Sequence, residues 1–185
     1  GESLFQATYL AVAGFANAGF DFLPGNQSFM VFNGYYLPQI LTMIIIFTGG
    51  VGFWPLAEVV LFIKNKLHKK PYRMTFISKM LIVSHFILWM GSALIYFIME
   101  YEHSMRGNPP LDILMNVLFM SNNARSAGFY NTDVTNWAEA TRLFFSMLMF
   151  IGAAPNSSGG GIRMTTFLLL TAGLISFGRH RKQVF

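Results

Sequence analysis

Cysteine is absent from the 185 residues, which excludes disulfides and cysteine-ligated metal centres. Charge is scarce. Asp, Glu, Lys and Arg make up 11% of the chain, against about 25% in a soluble domain. With 54% hydrophobic and 16% aromatic residues, the chain is read as a membrane protein or a piece of one. Acids are scarcer than bases, 8 against 13, for a net charge of +5. The bases do not form a nucleic-acid face, because they cluster at the ends of apolar runs, where they report topology. His68, His85, His103 and His180 show neither metal-ligand spacing nor a nucleophile partner and are read as structural. The first residues, Gly1-Glu2-Ser3, include no initiator methionine and no basic signal-peptide region. Helical sequence follows at once, so the chain is expected to be a fragment of a longer protein.

What is present is a series of apolar segments of two lengths. Residues 3–14 predict an apolar helix too short to cross a bilayer, followed by Phe15-Ala16-Asn17-Ala18-Gly19-Phe20-Asp21. Residues 22–36 contain Leu23-Pro24-Gly25-Asn26 and read as a polar loop. Leu37 to Ile63 is the first full-length span, with Gly49, Gly50 and Gly52 in its middle, a kink expected at Pro55 and Glu58 at its inner interface. Small residues inside a membrane helix let another backbone approach closely. Residues 64–73 carry bases and no acid, which makes this connection cytoplasmic. Thr75 to Met99 is the second span, running outward to Glu100-Tyr101-Glu102-His103, which fits an outer interfacial belt. A turn at 104–110 precedes a second short apolar segment, Leu111 to Met120. After it comes Ser121 to Asp133, including Arg125-Ser126-Ala127-Gly128-Phe129.

The stretch from Trp137 to Gly178 is about twice the roughly 20 helical residues one crossing needs. Its middle reads Gly152-Ala153-Ala154-Pro155-Asn156-Ser157-Ser158-Gly159-Gly160-Gly161. Clustered glycine and proline do not hold a helix, so two helices joined by a loop at membrane depth are expected. Such a loop must be buried in protein or line a wet cavity, since lipid cannot satisfy its polar groups. A phosphate-binding loop does not fit, because no Gly-Lys-Ser/Thr follows. The stretch ends at the basic Arg179-His180-Arg181-Lys182, on the same side as 64–73.

Two units therefore repeat: a short apolar helix, a small-residue loop with Ala-Gly-Phe, then a long apolar helix. This is the architecture of a potassium-channel pore unit. A dehydrated monovalent cation, K+ or Na+, needs its water replaced by backbone carbonyls of an extended loop. Glycine supplies the dihedrals that turn successive carbonyls to one axis, and the short helix aims its negative end at the cation. On this reading Asn17, Ala18, Gly19 and Phe20, and Ser126, Ala127, Gly128 and Phe129, form filter loops through their carbonyls, with both phenylalanines packing to hold them. Arg125 either buttresses its loop or is a simple boundary residue. Asp21 and Asp133 either concentrate cations at the outer mouth or cap loops.

These residues resemble the Trk/Ktr/HKT superfamily of potassium transporters. Ser126-Ala127-Gly128-Phe129 with Asn131-Thr132-Asp133, and Asn17-Ala18-Gly19-Phe20-Asp21, look like its filter loops. Ile151 to Thr166 closely resembles the intramembrane gating loop of bacterial Ktr-type membrane subunits, with Arg163 where lysine is expected and Asn156 where glycine is expected. The resemblance covers the whole chain and implies an all-α integral membrane protein of helix–re-entrant loop–helix repeats, the last with a broken helix. Residues 1–63 would be part of the second of four pore units, 64–73 a cytoplasmic linker and 74–185 the third unit. It further implies potassium uptake across the bacterial cytoplasmic membrane by a homodimer whose gate (Gly152 to Gly161 with Arg163) is controlled by a cytosolic nucleotide-binding ring. Residues 64–73 and 179–185 would be cytoplasmic and the filters outside. Partners would be these subunits and membrane lipid, with no nucleic acid and no cofactor beyond the transported K+ or Na+.

Two other classes compete. A secondary transporter with a discontinuous helix would explain the broken stretch but not the duplicated Ala-Gly-Phe. An intramembrane enzyme is disfavoured because no pair of acids at catalytic spacing lies within a span.

Overall fold

The computed structural model describes residues 2–21, 23, 25, 27–125 and 127–178. Helix α1 is Glu2–Phe15, α2 Tyr36–Val51, α3 Phe53–Leu67, α4 Phe76–Glu100, α5 Pro110–Asn123, α6 Glu139–Phe150 and α7 Met164–Gly178. A 3-10 turn at Ser28–Phe32 precedes α2, a π-helical turn at Tyr101–Met105 extends α4, and a 3-10 turn at Val134–Asn136 precedes α6. Among the described residues there is no extended strand, and an isolated parallel bridge joins Ile151 to Ile162. Helix α5 packs on α4 and α2, α1 on α2, and α3, α6 and α7 on α4.

The α4 helix with its π turn, Phe76–Met105, is long and apolar enough to cross a membrane. Helices α2 and α3 pass the same test only together, and they are bent by 109°. A single span with a kink at Pro55 was the expectation for 37–63; the break falls at Gly52 instead. Gly52 has φ +90° and ψ 156°, a region essentially open to glycine alone. Pro55 lies in the first turn of α3, where a missing N–H leaves no helix bond broken.

Buried glutamates fasten successive helices. Glu58, expected near the inner membrane interface, is buried within the protein. Its carboxylate accepts from Trp54 Nε1 at 3.0 Å, from the Thr75 N–H at 2.7 Å and from the Thr75 hydroxyl. Thr75 is the N-cap of α4, so Glu58 satisfies a helix start and meets its positive end. Glu100, expected in an outer interfacial belt, is fully buried within the protein. It accepts from Thr141 Oγ1 at 2.6 Å and from the Ala138 N–H at 3.3 Å, at the start of α6. Sequence polarity alone places both acids at a boundary; tertiary packing gives them donors and buries them.

The core gathers Ala13, Met43, Ile46, Tyr96, Phe119 and Phe145 from five of the helices. The described part of 22–36, from which Phe22, Pro24 and Asn26 are excluded, is more than a polar loop. Phe29 is 1% exposed, with its ring centroid 5.1 Å from that of Phe119 in a tilted contact and 5.2 Å from that of Phe129 in an edge-on one. Large apolar side chains such as Ile44, Val60, Phe86, Ile98 and Leu174 point outward, the pattern of a chain with apolar surroundings.

Candidate functional site

The first small-residue loop grows from the end of α1. Asn17 takes φ +50°. The Ala18 N–H reaches the Ala13 carbonyl at 2.9 Å and the Asn17 N–H the Gly14 carbonyl at 3.1 Å. These paired bonds, with a left-handed residue after the cap, are a Schellman ending, and asparagine is among the few non-glycine residues that tolerate it. The chain then turns sharply at Gly19, φ +71°.

The second loop follows α5 and turns at Gly128, φ +79°. The two glycines face one another. A Cβ on Gly19 would lie 2.3 Å from the Ala127 carbonyl oxygen and 2.9 Å from Gly128 Cα. Gly19 has no room for a side chain, a Cβ on Gly128 would press to 3.1 Å from the Gly19 Cα, and both have backbone angles that disfavour one. Ala127 is fully buried, and Ala18 is exposed. Ser126 lies outside the described residues. The phenylalanines differ: Phe129 packs in the core at 1% exposure, whereas Phe20 is 69% exposed. Phe20 therefore does not pack to hold its loop within this chain, because the neighbours that bury Phe129, Phe29 above all, lie on the other loop's side.

A polar layer backs the second loop. Asn131 Nδ2 donates to Gln39 Oε1 at 3.0 Å and to Asn116 Oδ1 at 2.9 Å, and Asn122 Nδ2 donates to the Met43 carbonyl at 2.9 Å. The Phe29 N–H donates to the Tyr130 carbonyl at 2.9 Å. Arg125, directly before the loop, is buried beside buried His85 of α4. Its Nη2 is 3.0 Å from Nε2 and its Nη1 3.3 Å from Nδ1, and a neutral imidazole accepts through one of these nitrogens. Gly50 leaves room for this ring, since a Cβ there would be 2.7 Å from His85 Cε1. Sequence reasoning left His85, Gln39 and Asn116 without a task. The available signal was a polar side chain inside an otherwise apolar helix.

The decapeptide 152–161 lies between α6 and α7 and folds back on itself. The Gly152 N–H meets the Ile162 carbonyl at 2.9 Å, and the Ile162 N–H meets that of Phe150 at 3.0 Å. Arg163 Nη1 donates to the Gly159 carbonyl at 2.9 Å, so this cation braces the loop. Gly152 and Gly161 touch backbone to backbone, a Cβ on Gly152 lying 1.9 Å from the Gly160 oxygen. The Ser157 hydroxyl donates to the Ala154 carbonyl. Asn156 has φ +59°, which explains how asparagine stands in a position suited to glycine.

The loop docks in the break between α2 and α3. The Ala154 N–H donates to the Gly50 carbonyl at 3.0 Å, and the Phe53 N–H donates to the Asn156 carbonyl at 3.2 Å. A Cβ on Gly52 would sit 2.9 Å from the Pro155 carbonyl oxygen. Each interruption supplies partners for the other's backbone, and a buried polar group left without one costs about 1–3 kcal/mol. On the side of the first loop, the Ser158 hydroxyl donates to the Phe15 carbonyl at 2.6 Å and accepts from Asn17 Nδ2 at 3.2 Å. Asp21 Oδ1 accepts the Leu23 N–H at 3.4 Å, and Asp133 caps the turn after the second loop. Among the described residues no group of His, Asp and Glu is placed to hold a metal ion.

A sequence profile of the TrkH family, described as cation transport protein, matches residues 2–184. Ktr system potassium uptake protein D of Bacillus subtilis strain 168 is 36% identical over 183 residues, 99% of this chain and 40% of that protein. Ktr system potassium uptake protein B of the same organism is 30% identical over 184 residues, 98% of this chain and 40% of that protein. The chain thus spans about two fifths of the length of these relatives, the share of each matched being 40%. The crystal structure of the potassium transporter TrkH from Vibrio parahaemolyticus superposes with a TM-score of 0.71 at 19% identity, covering 98% of this chain and 41% of that one. At that identity the likeness speaks for the fold.

Proposed function

The chain belongs to the TrkH cation transport protein family, and on that premise we propose that it supplies part of the pore of a potassium-uptake subunit in the bacterial cytoplasmic membrane. The family is one of membrane cation transporters, not of enzymes. Residues 1–63 are read as part of a second pore unit, 64–73 as a cytoplasmic linker and 74–185 as a third unit. Helices α1 and α5 are the re-entrant pore helices. Asn17 to Phe20 and Ser126 to Phe129 are the filter segments, whose backbone carbonyls replace the water of K+ or Na+. Residues 152–161, with Arg163, are the intramembrane gate interrupting a broken span. The subunit works as a homodimer under a cytosolic nucleotide-binding ring.

The observation that carries this reading is the meeting of Gly19 and Gly128. Two loops, each after a short apolar helix, bring left-handed glycines into contact, as loops arranged around one axis require. Four such units complete a ring, so the whole protein is the object to test. Potassium uptake by the full-length parent is measured in cells lacking their own uptake systems, beside Gly128→Ser and a deletion of residues 159–161. Restored growth at low potassium, impaired by the serine variant and with flux raised by the deletion, supports filter and gate. A parent that reaches the membrane yet moves neither potassium nor sodium overturns the pore.

A further inference from the structure

We propose that the Ser158 hydroxyl is a latch between the glycine loop and the first filter loop, seated in an inner subsite for a partly hydrated monovalent cation formed by the carbonyls of Phe15 and Gly49. The inference rests on the pore reading above and adds to it a named contact, a competing ligand and a direction of control.

The Schellman ending of α1 uses the carbonyls of Ala13 and Gly14. The next carbonyl, that of Phe15, receives the Ser158 hydroxyl at 2.6 Å, with Asn17 Nδ2 at 3.5 Å. It lies at the negative end of α1, where a cation is favoured. Helix α2 presses against the same atom, since a Cβ on Gly49 would be 2.1 Å from the Phe15 oxygen. That approach brings the Gly49 carbonyl to 3.5 Å from Ser158 Oγ. Three oxygens from α1, α2 and the glycine loop thus converge beside Asn17, the first residue of the filter segment.

Carbonyl oxygens are the ligands that replace the water of an alkali cation. A serine hydroxyl has a single proton, and here it is spent on Phe15. A cation that takes the Phe15 and Gly49 carbonyls draws on the oxygen that holds Ser158 and repels the hydroxyl proton, so it weakens that bond. Cation occupancy and latching compete, so occupancy shifts the population toward a released loop. Losing that bond frees the edge of the glycine loop that faces the first filter loop, while the contacts of Arg163 with the Gly159 carbonyl and of Gly152 with Gly161 lie within the loop and move with it. Its first half is docked by Ala154 and Asn156 into the α2–α3 break. Its second half, after Ser158, is Gly159-Gly160-Gly161, and a Cβ on Gly160 would meet nothing within 4 Å.

The test uses the full-length parent in its native membrane assembly, with two readouts. One is the initial rate of potassium uptake. The other is the rate at which a Gly160→Cys variant is modified by a water-soluble maleimide in inside-out vesicles, in potassium chloride or in choline chloride. Losing one such hydrogen bond corresponds to about three- to tenfold in an equilibrium. Ser158→Ala is expected to raise both uptake and modification by about that factor, and Ser158→Thr, which keeps the hydroxyl, to raise neither. Ser158→Gly reads the same contact should the alanine variant fail to accumulate. In the parent, potassium should speed modification relative to choline, and in Ser158→Ala it should not.

If the parent transports potassium but the alanine and glycine variants match it in both readouts, the latch is wrong while the pore stands. If modification is indifferent to potassium in the parent, the competition is wrong. If the parent transports no cation, the pore reading itself has failed.

Discussion

Gly128 lies backbone to backbone against Gly19: a Cβ added to Gly128 would be 3.1 Å from the Gly19 Cα. The reverse contact is tighter, with the Ala127 carbonyl oxygen 2.3 Å from a Cβ on Gly19. Gly19→Ala therefore meets a clash as well as a left-handed backbone worth roughly 1–2 kcal/mol against an L residue. The expected outcome is at least about tenfold slower potassium uptake at equal membrane abundance, since 1.4 kcal/mol is already tenfold. Rubidium tracer uptake measures it, and an unchanged rate would remove Gly19 from the ion path.

Arg125 is held by His85, and the ring fills the space that Gly50 leaves. His85→Ala strands a buried guanidinium, at a cost of about 1.5–3 kcal/mol for a hydrogen bond to a charged group. Because Arg125 leads directly into the second of the proposed filter segments, that proposal expects lower thermal stability to be accompanied by weaker preference for rubidium over sodium. The measurement is the ratio of the two tracer uptakes. Lost stability with an intact ratio would make the pair a packing element only.

Glu100 is fully buried, and its carboxylate starts α6 by accepting from Ala138 and Thr141. Glu100→Ala leaves those donors without a partner and should cost about 1–3 kcal/mol. Glu100→Gln keeps one acceptor oxygen and should cost less. Thermal denaturation of the purified full-length protein in detergent ranks the pair, and equal midpoints for both variants and the parent would contradict the capping role.

Gly52 sets the corner into which the glycine loop docks. Gly52→Ala meets φ +90° and a Cβ position 2.9 Å from the Pro155 carbonyl oxygen. A residue forced into a region open to glycine costs about 1–3 kcal/mol, relieved here by parting the corner from the loop. Uptake per molecule should rise, as expected for the loop deletion, while stability falls. Uptake normalised to membrane protein checks it; reduced flux would mean that the corner supports conduction rather than closure.

Asp133 accepts from the Thr135 hydroxyl at 2.7 Å, the Thr135 N–H at 2.9 Å and Asn136 Nδ2 at 3.0 Å. The Thr135 hydroxyl first, then its N–H, hold this carboxyl below the usual aspartate range, with desolvation opposing them. A lowered folded-state value stabilises the protein above the unfolded-state value, and that contribution is lost as pH falls through the folded one. The stability difference between the parent and Asp133→Asn should therefore be constant near neutral pH and shrink on the acid side. Denaturation midpoints across an acid series read it, and a difference that grows toward low pH would reverse the assignment.

Local chemistry made much of this legible in sequence. Scarce charge, two short apolar segments each followed by Ala-Gly-Phe, and a glycine-proline cluster that no helix accommodates all act over a few residues, and α1, α5 and the α6–α7 break follow from them. Gly19 and Gly128 were readable as backbone turns because only glycine serves there. The contacts between distant segments were not. Nothing in Leu37 to Ile63 distinguishes a kink at Pro55 from a break at Gly52, because the break is stabilised by Ala154 and Asn156, far along the chain. Glu58 and Glu100 read as boundary acids until folding brings Thr75, Ala138 and Thr141 to them. His85 has no partner until Arg125 arrives, and Phe20 and Phe129 share a motif yet differ in burial because only one loop meets Phe29. Hydropathy and backbone preference belong to short stretches and are fixed by the sequence alone. Satisfaction of buried polar groups depends on which segments meet, and only the tertiary structure decides that.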